Sequence, residues 1–155
     1  TQMRLGTARL THCMRWLGLA KRCLEIATDY ISEREAFGKR LSEREGIQWM
    51  IGEVAMEIQI GRLLTMHAAW KLDQGDFARK EVSMAKVAVA DTLHKAADTA
   101  IQLNGARGYS KDTILEWVYR YARAARLVDG ASEVHKMVLA KNVAKQGREF
   151  WAWGG

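Results

Sequence analysis

Apolar residues recur at three- and four-residue spacing along most of the chain, which is the periodicity of an amphipathic α-helix. Three long stretches of this kind run over about residues 3–34, 43–73 and 77–104. Two shorter stretches cover about residues 112–123 and 132–147. The pattern therefore predicts five helices, three of them roughly 45 Å long at about 1.5 Å per residue.

Polar segments and glycines separate the predicted helices. Residues 35–42 form a polar break around a glycine, and residues 74–76 form a turn. The Asp76 carboxylate could cap the start of the third helix, because aspartate is a favoured N-cap residue. Gly105 and Gly108 are predicted to end that helix.

The fold predicted from this pattern is all-α, an up-down bundle of long antiparallel helices with a shorter C-terminal helix pair. Short connections make consecutive helices antiparallel neighbours. The 155 residues contain no proline, which fits a chain that is nearly all helix. We predict one helical domain over residues 1–149, followed by an aromatic tail over residues 150–155 that fits no helix well. Since the sequence starts inside a helical pattern, we expect it to be part of a longer chain of three domains.

The charge and cysteine content favour an intracellular protein without nucleic-acid partners. The net charge is +6, but acidic residues interleave with the basic ones, which indicates a mixed-charge surface. Cys13 and Cys23 lie ten residues apart on one helix, about 15 Å along its axis, which is too far for a disulfide. Both are predicted to be core residues of a protein in a reducing compartment. That compartment would be the bacterial cytoplasm, a mitochondrion or a peroxisome. No apolar run approaches the roughly 20 residues of a membrane span.

The four histidines have no mutual spacing that suits a metal site, so we expect surface or structural roles for them and no bound metal. Asp129 is the most informative acidic residue, and two interpretations are open. It could be the N-cap of the last helix, a role worth about 1 kcal/mol. It could also be a general base, because a carboxylate on a short turn near cations suits proton transfer.

Arg34 and Phe37 are similarly ambiguous. An arginine at the end of a long helix complements the negative end of the helix dipole. The same guanidinium could bind phosphate through paired hydrogen bonds, with the phenyl ring packed on a cofactor.

Four motifs taken together resemble the C-terminal helical domain of the acyl-CoA dehydrogenase family. They are Arg-x-x-Phe-Gly from Arg34, Gln-x-x-Gly-x-x-Gly-aromatic from Gln102, Arg-x-x-Arg from Arg120, and Asp-Gly-x-x-Glu-Val-His from Asp129. Their order and spacing agree with the family over residues 1 to about 147. The last motif resembles the subgroup that carries Asp-Gly where Glu-Gly is usual.

The resemblance implies an FAD-dependent oxidoreductase of fatty acid metabolism that removes two hydrogens from the α and β carbons of an acyl-CoA thioester. It also implies a homo-oligomer, a dimer or tetramer, in which FAD lies between a β-domain and this bundle. Electrons would pass to an electron-transfer partner or to oxygen. We expect the chain to be inactive by itself, since the β-domain would be elsewhere in the protein.

The same resemblance implies roles for individual residues. Asp129 matches the base that takes the α proton, and Arg9 matches an arginine beside it. Ala8 matches the place where some members carry their base, which alanine cannot be. The cofactor-facing positions that the resemblance implies are Arg34, Phe37, Gln48, Gln102, Gly105, Gly108, Ala131 and Glu133.

The sequence departs from the usual pattern at the base. Aspartate is one methylene shorter than glutamate, and Ala131 replaces a threonine. Nitroalkane oxidases, distant members of the same superfamily, also carry aspartate there, so a flavoenzyme of that kind is one alternative. A helical domain that only mediates oligomerisation is another.

Overall fold

A computed structural model describes residues 2–152 of the chain, with side-chain surroundings from residue 6 onward. Three long helices form its body: α1 (Gln2–Glu33), α2 (Glu45–Asp73) and α3 (Arg79–Asn104). Their bounds lie within two residues of the predicted ones. The three long periodic stretches therefore specify the three long helices.

The C-terminal third is built from shorter helices. A single turn, α4 (Ala106–Tyr109), is followed by α5 (Leu115–Ala125) and α6 (Ser132–Gln146). A 3₁₀ segment, Gly147–Trp151, follows α6 directly. The predicted all-α class and the shorter C-terminal pair are confirmed.

The core lies where α3 packs against α1, with α2, α5 and α6 packed around α3. Trp16 of α1 and Leu93 of α3 are fully buried at this seam. Burial of one such side chain contributes about 1.5–3 kcal/mol. Cys13 and Cys23 are buried free thiols, as predicted, and burial raises the pKa of both to about 12.

The break after α1 contains a small hairpin that periodicity did not predict. Strand β1 (Glu35–Ala36) pairs antiparallel with β2 (Lys39–Arg40). The two residues between them, Phe37 and Gly38, both have positive φ, 51° and 77°. Positive φ at both central residues is the geometry that two-residue hairpins prefer.

The prediction that Asp76 caps α3 is wrong. Ala78, at φ 45°, is the N-cap residue, and the helix begins at Arg79. The Asp76 carboxylate instead accepts a hydrogen bond from the Ala78 amide at 3.1 Å, inside the preceding turn. A left-handed residue cannot belong to a right-handed helix, so the helix starts two residues later than the pattern predicts.

Only the first of the two predicted terminators ends α3. Gly105 has φ 59° and follows the last helical residue. Gly108 lies inside α4 and is buried there against the end of α3. A Cβ at this position would lie 2.9 Å from both the Ile101 carbonyl oxygen and the Asn104 Cβ, so glycine is required for packing.

The start of α5 is also later than predicted. Asp112 belongs to a turn in which its carboxylate accepts a hydrogen bond from the Ser110 hydroxyl at 2.7 Å. The helix begins at Leu115, whose amide donates to the Thr113 hydroxyl at 3.2 Å. Side-chain hydrogen bonds of this kind compete with helix formation.

The prediction that the aromatic tail fits no helix is wrong for its first residues. Phe150 lies in the 3₁₀ segment and is buried. The Lys80 ammonium group donates to the Phe150 carbonyl at 3.0 Å and lies 4.9 Å from its ring centroid. Residues 153–155, including Trp153, lie outside the described part of the chain.

The outward face of α2 is apolar. Leu63 of this helix is 57% exposed. It shares the outer face with five other large side chains: Trp49, Met56, Ile60, Met66 and Trp70. The inner face of α2 packs on the bundle, so an apolar outer face could pack against a second surface.

Candidate active site

Asp129 lies in the turn between α5 and α6, in a backbone conformation that few non-glycine residues adopt. Its φ is 53°, and the following Gly130 has φ 100°. Such conformations cost of the order of 1–3 kcal/mol and persist only where the surroundings fix them. The contacts of this turn therefore determine where the carboxylate lies.

Three elements bind the main chain of the turn. The Lys86 ammonium group of α3 donates to the Gly130 carbonyl at 2.7 Å, and the Arg9 Nε of α1 donates to the Asp129 carbonyl at 2.9 Å. His135 of α6 places Nε2 3.4 Å from the Asp129 carbonyl. Both carbonyl groups of the turn thus have cationic donors from the long helices.

Glycine is needed at the second position of the turn. A Cβ on Gly130 would lie 3.1 Å from the His135 Nε2 and 3.7 Å from the Arg9 Nη2. Its φ is also one that side chains other than glycine rarely adopt. Glycine therefore follows aspartate in the sequence motif because α1 and α6 leave no room for a side chain at this position.

The Asp129 side chain does not cap α6. Ala131 is the N-cap residue of that helix, which has no side-chain cap. The N-cap interpretation of Asp129 is therefore wrong. Its Oδ2 instead lies within hydrogen-bond distance of the Nε2 of His12, and the two side chains are 31% and 25% exposed.

Lys86 is an unusual cation because its side chain is fully buried. Burial lowers the pKa of Lys86 and Arg9 acts in the same direction, while the nearby Asp129 and Glu133 carboxylates oppose them. Burial of a charged group is costly unless hydrogen bonds compensate for lost water. The bond to Gly130 provides such compensation and ties the turn to the N-terminal third of α3.

His135 supports the same turn as a buried ring. Its Nδ1 lies 3.0 Å from the Ser83 hydroxyl of α3, which fixes the ring plane. Burial lowers the pKa of His135, against the opposing effect of its hydrogen bond to Asp129. Arg9 and Lys86 lower it further, so His135 is a neutral ring at neutral pH.

A second group of predicted residues lies on and after the hairpin. Phe37 is 97% exposed at its tip, and Arg34 is exposed at its base. The Arg44 guanidinium donates to the Ala36 and Phe37 carbonyls at 2.5 and 3.1 Å, which holds the tip in shape. Gln48 donates to the Ser42 carbonyl at 2.9 Å and is exposed.

The remaining predicted positions lie at helix ends. Gln102 and Gly105 are exposed at the end of α3, next to the buried Gly108. Ala131 is half-buried and Glu133 is exposed at the start of α6.

The structure brings Arg9, Asp129 and the start of α6 together. No contact recorded for the described residues joins that cluster to Arg34, Phe37, Gln48 or Gln102. The predicted site residues therefore fall into separate surface groups on this chain.

His12, Lys86 and His135 were not predicted as part of the site. His12 follows Ala8 by four residues and Arg9 by three, so a helix places all three on one side. That spacing could have indicated His12. No pattern in the sequence indicates that Lys86 belongs to the site. A lysine in a helix is usually exposed to solvent, so burial of this one could not be predicted.

Within the described residues, no group of three or more histidine, cysteine, aspartate or glutamate side chains could hold a metal ion. Nor is any helix of that part of the chain both long and apolar enough to cross a membrane.

Comparison with protein families gives one match that covers most of the chain. Residues 1–144 match the family described as acyl-CoA dehydrogenase, C-terminal domain. The chain belongs to the acyl-CoA dehydrogenase family. The predicted resemblance is therefore confirmed at the level of the family and of its C-terminal domain.

Individual relatives agree with this membership. Acyl-CoA dehydrogenase family member 11 of Rattus norvegicus is 45% identical over 143 residues, which are 91% of this chain. The (R)-benzylsuccinyl-CoA dehydrogenase of Thauera aromatica is 36% identical over 150 residues, or 96% of the chain. The chain spans only 18% of the first relative and 37% of the second.

Among solved structures, a glutaryl-coenzyme A dehydrogenase with bound glutaryl-CoA has the same fold. The TM-score is 0.89 at 33% identity, over 93% of this chain and 37% of that one. The helical bundle therefore has the same fold as one part of that longer glutaryl-coenzyme A dehydrogenase chain.

Proposed function

We propose that the complete protein containing this acyl-CoA dehydrogenase domain is an FAD-dependent oxidoreductase that desaturates an acyl-CoA thioester, with Asp129 as its base. One observation carries the proposal. The Asp129 carboxylate is held on a left-handed turn whose two carbonyls bind Arg9 and Lys86, while the carboxylate itself stays part-exposed. Preorganised, accessible carboxylates are typical of general bases.

Proton removal would use the residues of this turn. The Cα–H bond of the thioester would break, and its proton would bond to an Asp129 carboxylate oxygen. Arg34 and Phe37 would hold the FAD, whose flavin would supply the acceptor for the β hydrogen, lost as hydride. Arg9 would keep the turn in place through the Asp129 carbonyl and would add positive charge near the developing enolate.

The chemistry of the hairpin fits an anionic cofactor with a planar ring system. Arg34 supplies a guanidinium group with no ion pair among the described residues, and Phe37 exposes nearly its whole ring. Arginine is well suited to bidentate phosphate binding. The cofactor-binding role proposed for Gln48, Gln102, Gly105, Gly108, Ala131 and Glu133 rests on the family resemblance.

An acyl-CoA substrate is favoured over a nitroalkane because of the two relatives named above, which align with more than 90% of this chain. One is an acyl-CoA dehydrogenase family member and the other a benzylsuccinyl-CoA dehydrogenase.

We further propose a homo-oligomer, a dimer or tetramer, in which the apolar outer face of α2 meets another subunit. An electron-transfer partner or oxygen would accept the electrons.

The test uses the complete polypeptide rather than this domain alone. Its visible spectrum should show bound flavin, and acyl-CoA thioesters should bleach that absorption without oxygen. The proposal would be contradicted if the protein binds no flavin. It would also be contradicted if acyl-CoA thioesters of every chain length leave the flavin absorption unchanged.

Asp129→Asn tests the base directly. The rate of bleaching should fall by about 10²–10⁴-fold, which is the usual contribution of a general base, while flavin stays bound. Glu25→Gln is the control, because Glu25 is a carboxylate on the surface of α1 paired with Lys21 and Arg22. If Asp129→Asn bleaches within about tenfold of the parent rate, Asp129 is not the base.

A further inference from the structure

We propose that His12 is a positioning residue for the Asp129 carboxylate. As a neutral ring it donates its Nε2 proton to Oδ2 and leaves Oδ1 as the atom that accepts the substrate proton. This inference rests on the proposed function of Asp129. Three contacts of His12 support it, one on each ring nitrogen and one on the ring face.

The contacts of the two nitrogens determine the tautomer. The Arg15 Nη2 lies 2.5 Å from His12 Nδ1, and a guanidinium group only donates hydrogen bonds. Nδ1 must therefore be an unprotonated acceptor. In a neutral imidazole the proton is then on Nε2, the atom that meets Asp129 Oδ2. The His12–Asp129 contact is thus an N–H donor to a carboxylate.

The ring face of His12 packs on a buried side chain. The ring stacks on Trp16 with centroids 5.3 Å apart and planes inclined by 18°. Trp16 is 1% exposed, and its indole N–H donates to the Tyr121 hydroxyl at 3.3 Å. A rigid neighbour fixes the imidazole plane, so the Nε2–H bond has a set direction.

The two carboxylate oxygens differ as a result. Oδ2 accepts from His12, whereas the described residues provide no hydrogen-bond partner for Oδ1. An aspartate has only two side-chain torsions, and a donor fixed on one oxygen restricts both. The α C–H bond would break while an O–H bond forms at Oδ1. His12 keeps its own proton throughout, so it orients the base and does not relay the proton.

Other charges face this pair from several elements. Arg9 and Arg15 come from α1, Lys86 from α3, and Glu133 and His135 from α6. The bonds of Arg9 and Lys86 to the turn go to carbonyl groups rather than to the carboxylate. His12 is therefore the group in the described structure that contacts the carboxylate oxygen itself.

Two variants of His12 in the complete flavoprotein separate its donor from its ring. His12→Phe keeps a ring for Trp16 but has no N–H, whereas His12→Gln keeps a donor near the Nε2 position. Flavin reduction by acyl-CoA should be about 10- to 100-fold slower in His12→Phe, as for loss of a hydrogen bond to a charged group. It should stay within about threefold of the parent in His12→Gln, with substrate affinity little changed in both. His67→Gln, whose ring stacks on Trp70 of α2, is the matched control.

A double-mutant cycle shows whether His12 acts through Asp129. In the Asp129→Asn background, His12→Phe should slow flavin reduction no further, because residues that act as a unit are non-additive. Equal rates for His12→Phe and the parent would overturn the inference. So would a full additional loss in the double variant.

Nitrogen-15 NMR of histidine-labelled protein tests the tautomer without any turnover. His12 should give the spectrum of a neutral ring protonated at Nε2, and Asp129→Ala should shift that signal. A proton on Nδ1 would overturn the inference even if the parent bleaches with acyl-CoA. If no thioester bleaches the parent, the proposed function fails, while the NMR result still decides the contact between His12 and Asp129.

Discussion

The ammonium group of Lys86, in the N-terminal third of α3, donates to the carbonyl of Gly130 at 2.7 Å, 44 residues away in sequence. This bond joins the central helix of the bundle to the turn that carries Asp129. It explains a fully buried lysine that has no carboxylate as its direct partner among the described contacts.

Lys86→Met tests this connection. Methionine fills a similar volume but leaves the Gly130 carbonyl without its donor, a loss of about 1–3 kcal/mol in the free energy of unfolding. Relief of the buried charge offsets part of that loss. Flavin reduction by acyl-CoA should slow more than stability alone explains, because the turn loses one of its anchors. Urea unfolding and stopped-flow reduction measure the two effects, and an unchanged reduction rate would contradict the anchoring role.

The low pKa of His135 predicts loss of stability in acid. Below about pH 6.5 the unfolded chain binds a proton on this histidine, while the folded chain keeps the ring neutral. The free energy of unfolding should therefore fall as the pH drops from 6.5 towards the lower pKa of the folded protein. His135→Gln should flatten this slope in urea titrations at a series of pH values. His94, whose pKa burial also lowers, should account for part of the remaining slope.

Two glycine substitutions should have opposite effects on stability. Gly108→Ala places a methyl group 2.9 Å from the Ile101 main chain and should cost about 1–3 kcal/mol through overpacking. Gly18→Ala, in the middle of α1, meets nothing within 4 Å and should stabilise the fold by about 0.5–1 kcal/mol. Thermal melting compares the two variants with the parent. A Gly108→Ala variant as stable as the parent would contradict the close packing of α4 on α3.

The apolar outer face of α2 should hold subunits together. Leu63→Glu introduces a charge in the middle of that face and should shift the complete protein towards smaller species in sedimentation or light scattering. Met137→Glu is the control, since Met137 is similarly exposed, at 56%, but lies on α6. If Leu63→Glu leaves the assembly intact while Met137→Glu breaks it, the interface lies on another face.

The sequence was sufficient to predict the long helices because their apolar residues repeat over seven or more turns. It could not predict the hairpin at Phe37, because a two-residue strand has no periodicity. Helix starts were misplaced where local bonds of Asp76 and Asp112 compete with the helix.

The candidate site divides in the same way. The resemblance to the acyl-CoA dehydrogenase family was enough to select Asp129 and Arg9, and the structure places these two in contact. The contributions of Lys86 and His12 depend on how α3 and α1 pack against the turn. The spacing within one helix does not predict how two helices pack. It shows only that His12 lies on the same side of α1 as Ala8 and Arg9.

The bonds of the Asp129 turn also have a consequence for folding. Arg9 is 120 residues from Asp129, so this contact closes about three-quarters of the 155 residues into a loop. Closing so long a loop costs conformational entropy, so we expect this contact to form after the local helices. The carboxylate therefore acquires its orientation only when α1, α3 and α6 have all assembled. A partly folded bundle would carry the aspartate without the geometry for proton abstraction, so reactivity would appear only in completed molecules.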